Sequence, residues 1–520
     1  MKELAKPVLP SQYDDIIRLI HARAADPDRI ALVFGDEAIT YGQLVERIRR
    51  VALQLAQLPV RRGDRVVMLA ANSPAYLINY LAVVQAGAVF IPVHLDLAPP
   101  EIRYIVDHAE PALVVCPPDL RDKLLAAGLD LGPRILAPDW FEDASAHPMP
   151  AERAGADPFV REPDDDVLIC YTSGTTSSPK GVVASHRVEI ASASAFGTMW
   201  KVSREDTLTV ALPLSSLFGL HTAAFQALAH GATVLLLPRF NPVLVLEAIT
   251  ARRPTVFLGV PTMYAMMIEH VRQTGKRYDL SSLRLAVASG AALPGTLKAS
   301  FQELFGIEIQ EYYALSEVRP VFSPDLRNAA PLPVGSSGYL APHTEARIVD
   351  DQGQPVPDGS VGALLLRAPS LMKSYFRDPQ RTAAAVKDGW FDTGDLVRKE
   401  GDFYFLVGRT RDQIICGGSK VSSAEVEDVL LKQPSVLAAA VVGVPDEKYG
   451  QLVRAVVVRR EGFEVTPEEL SSHCARYLAP YKVPRGFTFV AQLPIGPTGK
   501  ILKRELEAML TVSGSAAFVN

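Results

Sequence analysis

Between residues 40 and 116 the chain alternates helix-length and strand-length apolar patterns, and this alternation limits the fold more than any other feature. Thr40 and Gln43 form a capping-box pair that opens the helix TYGQLVERIRRVALQL. Residues 66–70 read as a strand, 74–85 as a helix, 89–93 as a strand, 101–108 as a helix and 113–116 as a strand. Such alternation implies an α/β fold with a mainly parallel sheet covered on both faces. No Gly-x-Gly-x-x-Gly with the acidic residue of a dinucleotide site accompanies it.

At 520 residues the chain is too long for one core, so at least two domains are expected. The net charge of −5, without a basic block, argues against nucleic acid as the main partner. Residues 1–10, MKELAKPVLP, carry no apolar signal core, and no apolar run reaches membrane-spanning length. Cys116, Cys170, Cys416 and Cys474 are scattered without a Cys-x-x-Cys, which fits a reducing cytoplasm.

Residues 171–182 read YTSGTTSSPKGV. A short apolar strand leads into hydroxyl residues and glycine, followed by one lysine. Backbone N–H groups and hydroxyls converging there suit a polyphosphate. The spacing is not the Gly-x-x-x-x-Gly-Lys-Ser/Thr of the P-loop, because Pro179 stands at the second glycine and Gly181 follows the lysine. A Ser/Thr-rich surface loop would read the same way in isolation.

The stretch resembles the phosphate loop of the adenylate-forming enzymes, the superfamily of acyl-CoA synthetases, peptide-synthetase adenylation domains and luciferases. Ser177 replaces a glycine usual in that family. Further motifs follow in the family's order. Residues 211–220, ALPLSSLFGL, resemble the stretch lining the carboxylate pocket, with Ser216 in place of a histidine and Phe218 retained. The absence of an aspartate near Phe218 argues against an α-amino acid. The glycine–alanine turn at Ser289, Gly290, Ala291 and Ala292 resembles the border between acyl pocket and adenine. Residues 309–317, IQEYYALSE, resemble the Tyr-Gly-x-Thr-Glu motif, with Ala314 for glycine and Ser316 for threonine. There Tyr313 would stack on adenine, with Tyr312 beside it at the nucleotide. Ser316 would touch phosphate and Glu317 would hold Mg2+. Arg319 reads as a solvated side chain, with pairing to a second substrate carboxylate as the minority reading, and His221 is left without a role.

Residues 389–396, GWFDTGDL, match the family's ribose motif, in which Asp395 would accept from both hydroxyls. Arg409 would contact ribose or phosphate, and Arg411 holds the hinge position. Gly417 and Gly418 would approach the pantetheine channel. In PIGPTGKILKREL, residues 494–506, Lys500 matches the lysine that bridges carboxylate and α-phosphate.

The resemblance implies a large N-terminal domain, residues 1–410, of stacked mainly parallel sheets with helices plus a small β-barrel. A mobile α+β domain, residues 411–520, would carry Lys500. It implies ATP, Mg2+ and coenzyme A, with Lys500, Glu317 and Lys180 catalytic. Thr172, Ser173, Gly174, Thr175 and Thr176 would cradle phosphate with Lys180. Ser216, Phe218, Ser289, Gly290, Ala314 and Val318 would line a modest pocket of little charge, suited to an aryl or short-to-medium aliphatic acid. The resemblance implies activation of the acid to acyl-AMP with pyrophosphate release and transfer to coenzyme A; the alternatives are a standalone enzyme loading the phosphopantetheine of a separate carrier protein and a non-catalytic nucleotide-binding protein, and homodimers are common in the family.

Overall fold

The computed structural model describes residues 10–132, 134–142, 159–172, 179–291, 293–328, 331–409, 413–416, 419–446, 449–496 and 501–512. The expected alternation is present. Thr40 accepts from the Gln43 N–H at 3.2 Å and Gln43 accepts from the Thr40 N–H at 2.9 Å, closing the capping box on the helix Tyr41–Leu55. Ser73 caps the helix Pro74–Gln85, whose first position is a proline.

Two seven-stranded sheets form the body of the molecule. One runs, in spatial order, Ile309–Glu311, Leu285–Ala288, Val256–Gly259, Thr207–Val210, Thr233–Leu236, Ile30–Phe34 and Glu37–Thr40, parallel except for the last pair. The other runs Ser374–Tyr375, Lys180–Ser185, Asp166–Thr172, Val89–Pro92, Arg65–Met68, Leu113–Val115 and Ile135–Leu136. Its first three strands pair antiparallel and the rest parallel.

Alternate residues show why both faces of the second sheet are apolar. Val66, Met68, Phe90 and Leu168 enter the main core, while Val67, Ile91 and Ile169 enter a second core on the opposite face. A third, antiparallel sheet gathers Glu345–Val349, Val361–Arg367, Trp390–Glu400, Val386–Lys387 and Phe403–Arg409. The bridge between Gly338 and Tyr404 ties it to the short ribbon of Phe322–Ser323 and Tyr339–Leu340.

Residues 414–510 build their own two cores around the sheet of Gly450–Arg459 and Val436–Asp446. Ala439 and Val441 point to one core, Ala440 and Val442 to the other. The Ser422 hydroxyl donates to the Val407 carbonyl at 2.8 Å and links this part to the third sheet. Among the described residues no helix is long and apolar enough to cross a membrane.

Two stretches differ from the sequence reading in a way that matters for the site. Residues 257–263 do not continue as strand: it ends at Gly259, and Pro261 begins the helix Pro261–Thr274 because proline suits a first helical turn. The Ser216–Gly219 region enters a helix of wide π-type turns, Phe218–Phe225, a form that recurs at functional sites.

Candidate active site

The strands Asp166–Thr172 and Lys180–Ser185 pair antiparallel in one hairpin, with Thr172 opposite Lys180. Ser173, Gly174, Thr175 and Thr176 lie outside the described residues, as do Arg411, Gly417, Gly418 and Lys500. The described end of the hairpin is anchored by Tyr375. This residue pairs with Val182 on the hairpin's outer edge and lies over Lys180, whose Nζ is 4.7 Å from the ring centroid. Lys180 donates to the Tyr375 hydroxyl at 3.2 Å, and that hydroxyl donates to Glu317 Oε1 at 2.8 Å. The lysine itself stands 3.7 Å from Glu317. Burial, and then the charge of Glu317, raise the Tyr375 phenol well above its ordinary range, so it stays a donor. A cation and a carboxylate therefore flank the hairpin, spaced by one phenol.

Glu317 follows the strand Ile309–Glu311 through a turn in which Tyr312 and Tyr313 take opposite sides. The Tyr313 hydroxyl donates to Asp395 Oδ2. Its ring stacks on Phe322 at 5.5 Å, and Phe322 on Tyr404 at 4.4 Å. Asp395 is paired in register with Arg409, whose Nε is 3.0 Å from the carboxylate. Only 2 % of Asp395 is exposed, so it is a fixed, charge-assisted acceptor.

The structure separates Tyr312 from Tyr313. The Tyr312 ring is enclosed edge-on by Phe196, Trp200 and Phe218 at 5.5, 5.6 and 5.4 Å. Tyr312 thus packs against Phe218, while Tyr313 packs against Phe322. Ser216 stands in a tight turn: its hydroxyl donates to the Pro213 carbonyl at 2.8 Å and accepts from the Gly219 N–H at 3.2 Å. Gly219 is sterically required, since a Cβ there would lie 2.2 Å from the Pro213 oxygen. Gly290 holds φ at +90°, the region glycine favours, beside exposed Ala291. Ala314 and Ser316 are half-buried, and Val318 is fully buried with Tyr313 and Val321.

Arg319 is not solvated. It is 3 % exposed and its Nη2 bonds to Glu189 Oε1. His221 Nδ1 meets the other oxygen of Glu189 at 2.5 Å. Burial disfavours the Glu189 charge, but Arg319, His221 and their hydrogen bonds outweigh it and hold the carboxyl at about 2. The charge of Arg319 is matched by Glu189 inside the protein, so the expected solvated side chain is instead a buried ion pair.

Sequence reading missed three residues here: Tyr375, Glu189 and Glu311. The Glu311 carboxylate accepts from Ser337 Oγ at 3.2 Å and from the Leu293 N–H at 3.3 Å, and burial raises its carboxyl to about 7 despite those bonds. Glu311 did carry a signal, a carboxylate closing the short strand Ile309–Glu311 two residues before Tyr313. Tyr375 and Glu189 carried none, because their partners are remote in the chain.

Glu317 suits a magnesium ion on donor chemistry: it is a hard carboxylate beside the phosphate hairpin. Among the described residues no three acidic, His or Cys side chains gather as a metal cluster.

Comparison with known proteins agrees with this layout. Residues 20–376 match the AMP-binding enzyme family, and residues 425–500 match the AMP-binding enzyme C-terminal domain. A feruloyl-CoA synthase from an Amycolatopsis species is 35% identical, over 92% of this chain and 96% of its own. A sulfoacetate–CoA ligase from Cupriavidus necator is 34% identical, over 96% of this chain and 98% of its own. The crystal structure of ATP-bound MatB from Rhodopseudomonas palustris superposes with a TM-score of 0.88 at 30% identity, over 96% of this chain and 100% of that one. The chain belongs to the AMP-binding enzymes and is an adenylate-forming acid–thiol ligase.

Proposed function

We propose that the protein couples ATP to the thioesterification of an aryl or short-to-medium aliphatic carboxylic acid with coenzyme A. The observation that carries this reading is the Lys180–Tyr375–Glu317 chain at the phosphate hairpin, next to the Tyr313–Asp395–Arg409 group. In the first half-reaction a carboxylate oxygen bonds to the α-phosphorus and the bond to pyrophosphate breaks, giving acyl-AMP. In the second, the thiol sulfur attacks the acyl carbon, the bond to AMP breaks, and the thiol proton is released.

The protein's part is positioning and charge neutralisation. Lys180 and the hairpin hold the β- and γ-phosphates. Asp395 and Arg409 hold the ribose, and Tyr313 lies against the adenine. Lys500 bridges carboxylate and α-phosphate. Mg2+, held by Glu317 and the nucleotide, supplies further charge neutralisation when bound. Residues 411–520 turn about Arg411 between the half-reactions, which brings Gly417 and Gly418 to the thiol in place of Lys500. The setting is cytoplasmic, in keeping with four free cysteines.

The test is pyrophosphate release across an acid panel, with and without coenzyme A, on wild type and Lys500→Ala. The reading expects an acyl-CoA product and an adenylation rate reduced in the variant by about 10²–10³. Adenylate formation with coenzyme A inert would point instead to the pantetheine of a separate carrier protein. Silence across the panel, on protein that binds ATP, would overturn the catalytic reading.

A further inference from the structure

Two residues of the helix Pro99–Ala109, Tyr104 and His108, bond to both described ends of the phosphate hairpin. They lie four residues apart on one face of the helix, and their rings stack with centroids 5.6 Å apart and planes 8° from parallel. The Tyr104 hydroxyl donates to the Pro179 carbonyl at 3.2 Å, the carbonyl of the peptide that leads into Lys180. His108 Nδ1 and the Tyr171 hydroxyl share a hydrogen bond at 2.8 Å, and Tyr171 stands opposite Gly181 in the hairpin register. One strand is thus held just before Lys180, and the other across from the residue just after it.

The residues after Tyr375 close onto the same cluster. Phe376 donates its N–H to the Gly181 carbonyl at 2.7 Å, and its ring meets His108 edge-on at 5.6 Å. Arg377 donates to the His108 carbonyl at 3.1 Å and to Glu110 at 2.6 Å. Gly181 lets these groups approach, since a Cβ there would lie 2.9 Å from Ile169, 3.1 Å from Phe376 and 3.4 Å from the Tyr171 ring. Burial raises the Tyr171 phenol above its ordinary range, so its hydroxyl keeps its proton. Lys180 is accordingly fixed at its side chain by Tyr375 and at its backbone by Tyr104.

Packing alone does not call for these polar atoms, because phenylalanine at both positions would fill the same space. Tyr104 and His108 are only half-buried, so water could satisfy them, and their bonds to the hairpin are not imposed by burial.

We infer that Tyr104 and His108 are positioning residues for the phosphate grip: they fix the hairpin ends so that Lys180 meets the β- and γ-phosphates of ATP. The inference rests on the proposed phosphate role of Lys180. Both residues act through the hairpin backbone and its Tyr171, and neither touches the reacting atoms. A hairpin whose ends shift leaves Lys180 in the binding placement for a smaller fraction of the time, and the apparent affinity for ATP falls by that fraction. AMP lacks the two phosphates, so its affinity does not depend on that placement.

The test is calorimetric binding of ATP and of AMP, with Mg2+ present, to the full chain as wild type, Tyr104→Phe, His108→Phe and the double variant. Each phenylalanine keeps an aromatic ring and removes the atom that bonds to the hairpin. Each lost bond is worth a factor of about 2–12, so ATP affinity should fall roughly ten-fold in the double variant while AMP affinity stays within about two-fold. In a Lys180→Ala background, Tyr104→Phe should cost less than about two-fold in ATP affinity, because it acts through that lysine. Equal losses for ATP and AMP would assign both residues a structural role and overturn the inference. So would an unchanged ATP affinity in the double variant, or a full loss added to that of Lys180→Ala. If the double variant fails to fold, Tyr104→Phe, which deletes one half-buried oxygen, decides alone by the same ATP-against-AMP comparison. Lys180→Ala with unchanged ATP affinity would remove the phosphate role of Lys180 and the inference with it. Pyrophosphate exchange on wild type reads acid activation separately, so the inference can fail while that activity stands.

Discussion

Replacing Tyr375 with phenylalanine removes one oxygen and keeps the ring on which Lys180 rests. The lost hydroxyl accepts from Lys180 at 3.2 Å and donates to Glu317 at 2.8 Å. Lysine and glutamate would still face each other at 3.7 Å, and both retain some exposure, so water can replace part of what is lost. The hydrogen bond to the charged carboxylate matters more, at about 1.5–3 kcal/mol. If that bond fixes Glu317 and Lys180 where charge develops on the phosphates, the adenylation rate falls by roughly 10–150-fold. The second half-reaction, started from acyl-AMP supplied directly, needs neither group in that geometry and should change by less than about two-fold. Single-turnover pyrophosphate formation and thiolysis of acyl-AMP measure the two separately, and a thermal melt checks the fold. Equal losses in both half-reactions, or an unchanged adenylation rate, would refute the view that Tyr375 spaces the two charges for phosphate chemistry.

Arg319→Met leaves the Glu189 carboxylate buried without its cation and should lower stability by about 3–5 kcal/mol in urea unfolding. Adding Glu189→Gln should recover part of the loss; strictly additive effects would mean the two residues are not coupled. Glu311, raised to about 7 by burial, keeps its proton in the folded protein at pH values where the unfolded chain has released it. The stability it contributes is full below about pH 4.5 and is lost as pH rises through 7, a change of up to about 3 kcal/mol. Glu311→Gln should flatten melting temperature against pH in that window, and a slope equal to wild type would count against the assignment. Gly219→Ala places a Cβ 2.2 Å from the Pro213 oxygen and must move backbone, whereas a Cβ at Gly290 meets nothing closer than 3.5 Å. Gly290→Ala thus bears only its positive φ, about 1–3 kcal/mol, and should melt above Gly219→Ala.

Local signals explain what could be read from the chain alone. Thr40 and Gln43 cap a helix because each reaches the other's backbone within one turn, and such a pair is visible in four letters. The central residues of the second sheet's inner strands, such as Val66–Met68, Val89–Ile91 and Val167–Cys170, are apolar on both faces because both faces are buried, which the letters also show. Strand ends were less legible: residues 257–263 look uniformly apolar, and only Pro261, read as a first helical residue rather than a turn, marks the change. Tyr375 and Arg319 could not be read, since their roles depend on contacts 195 and 130 residues away. Arginine is usually exposed, so solvation was the sound expectation for Arg319 until a buried carboxylate was found opposite it. Glu189 was equally silent inside an ordinary helix. Each charge is intelligible only through the other, and the fold that joins them also sets them beside Phe218, Thr222 and Ser316. The motifs could be read because each is contiguous in the chain. Pairing between charges on distant elements, by contrast, became legible only once those elements were packed together.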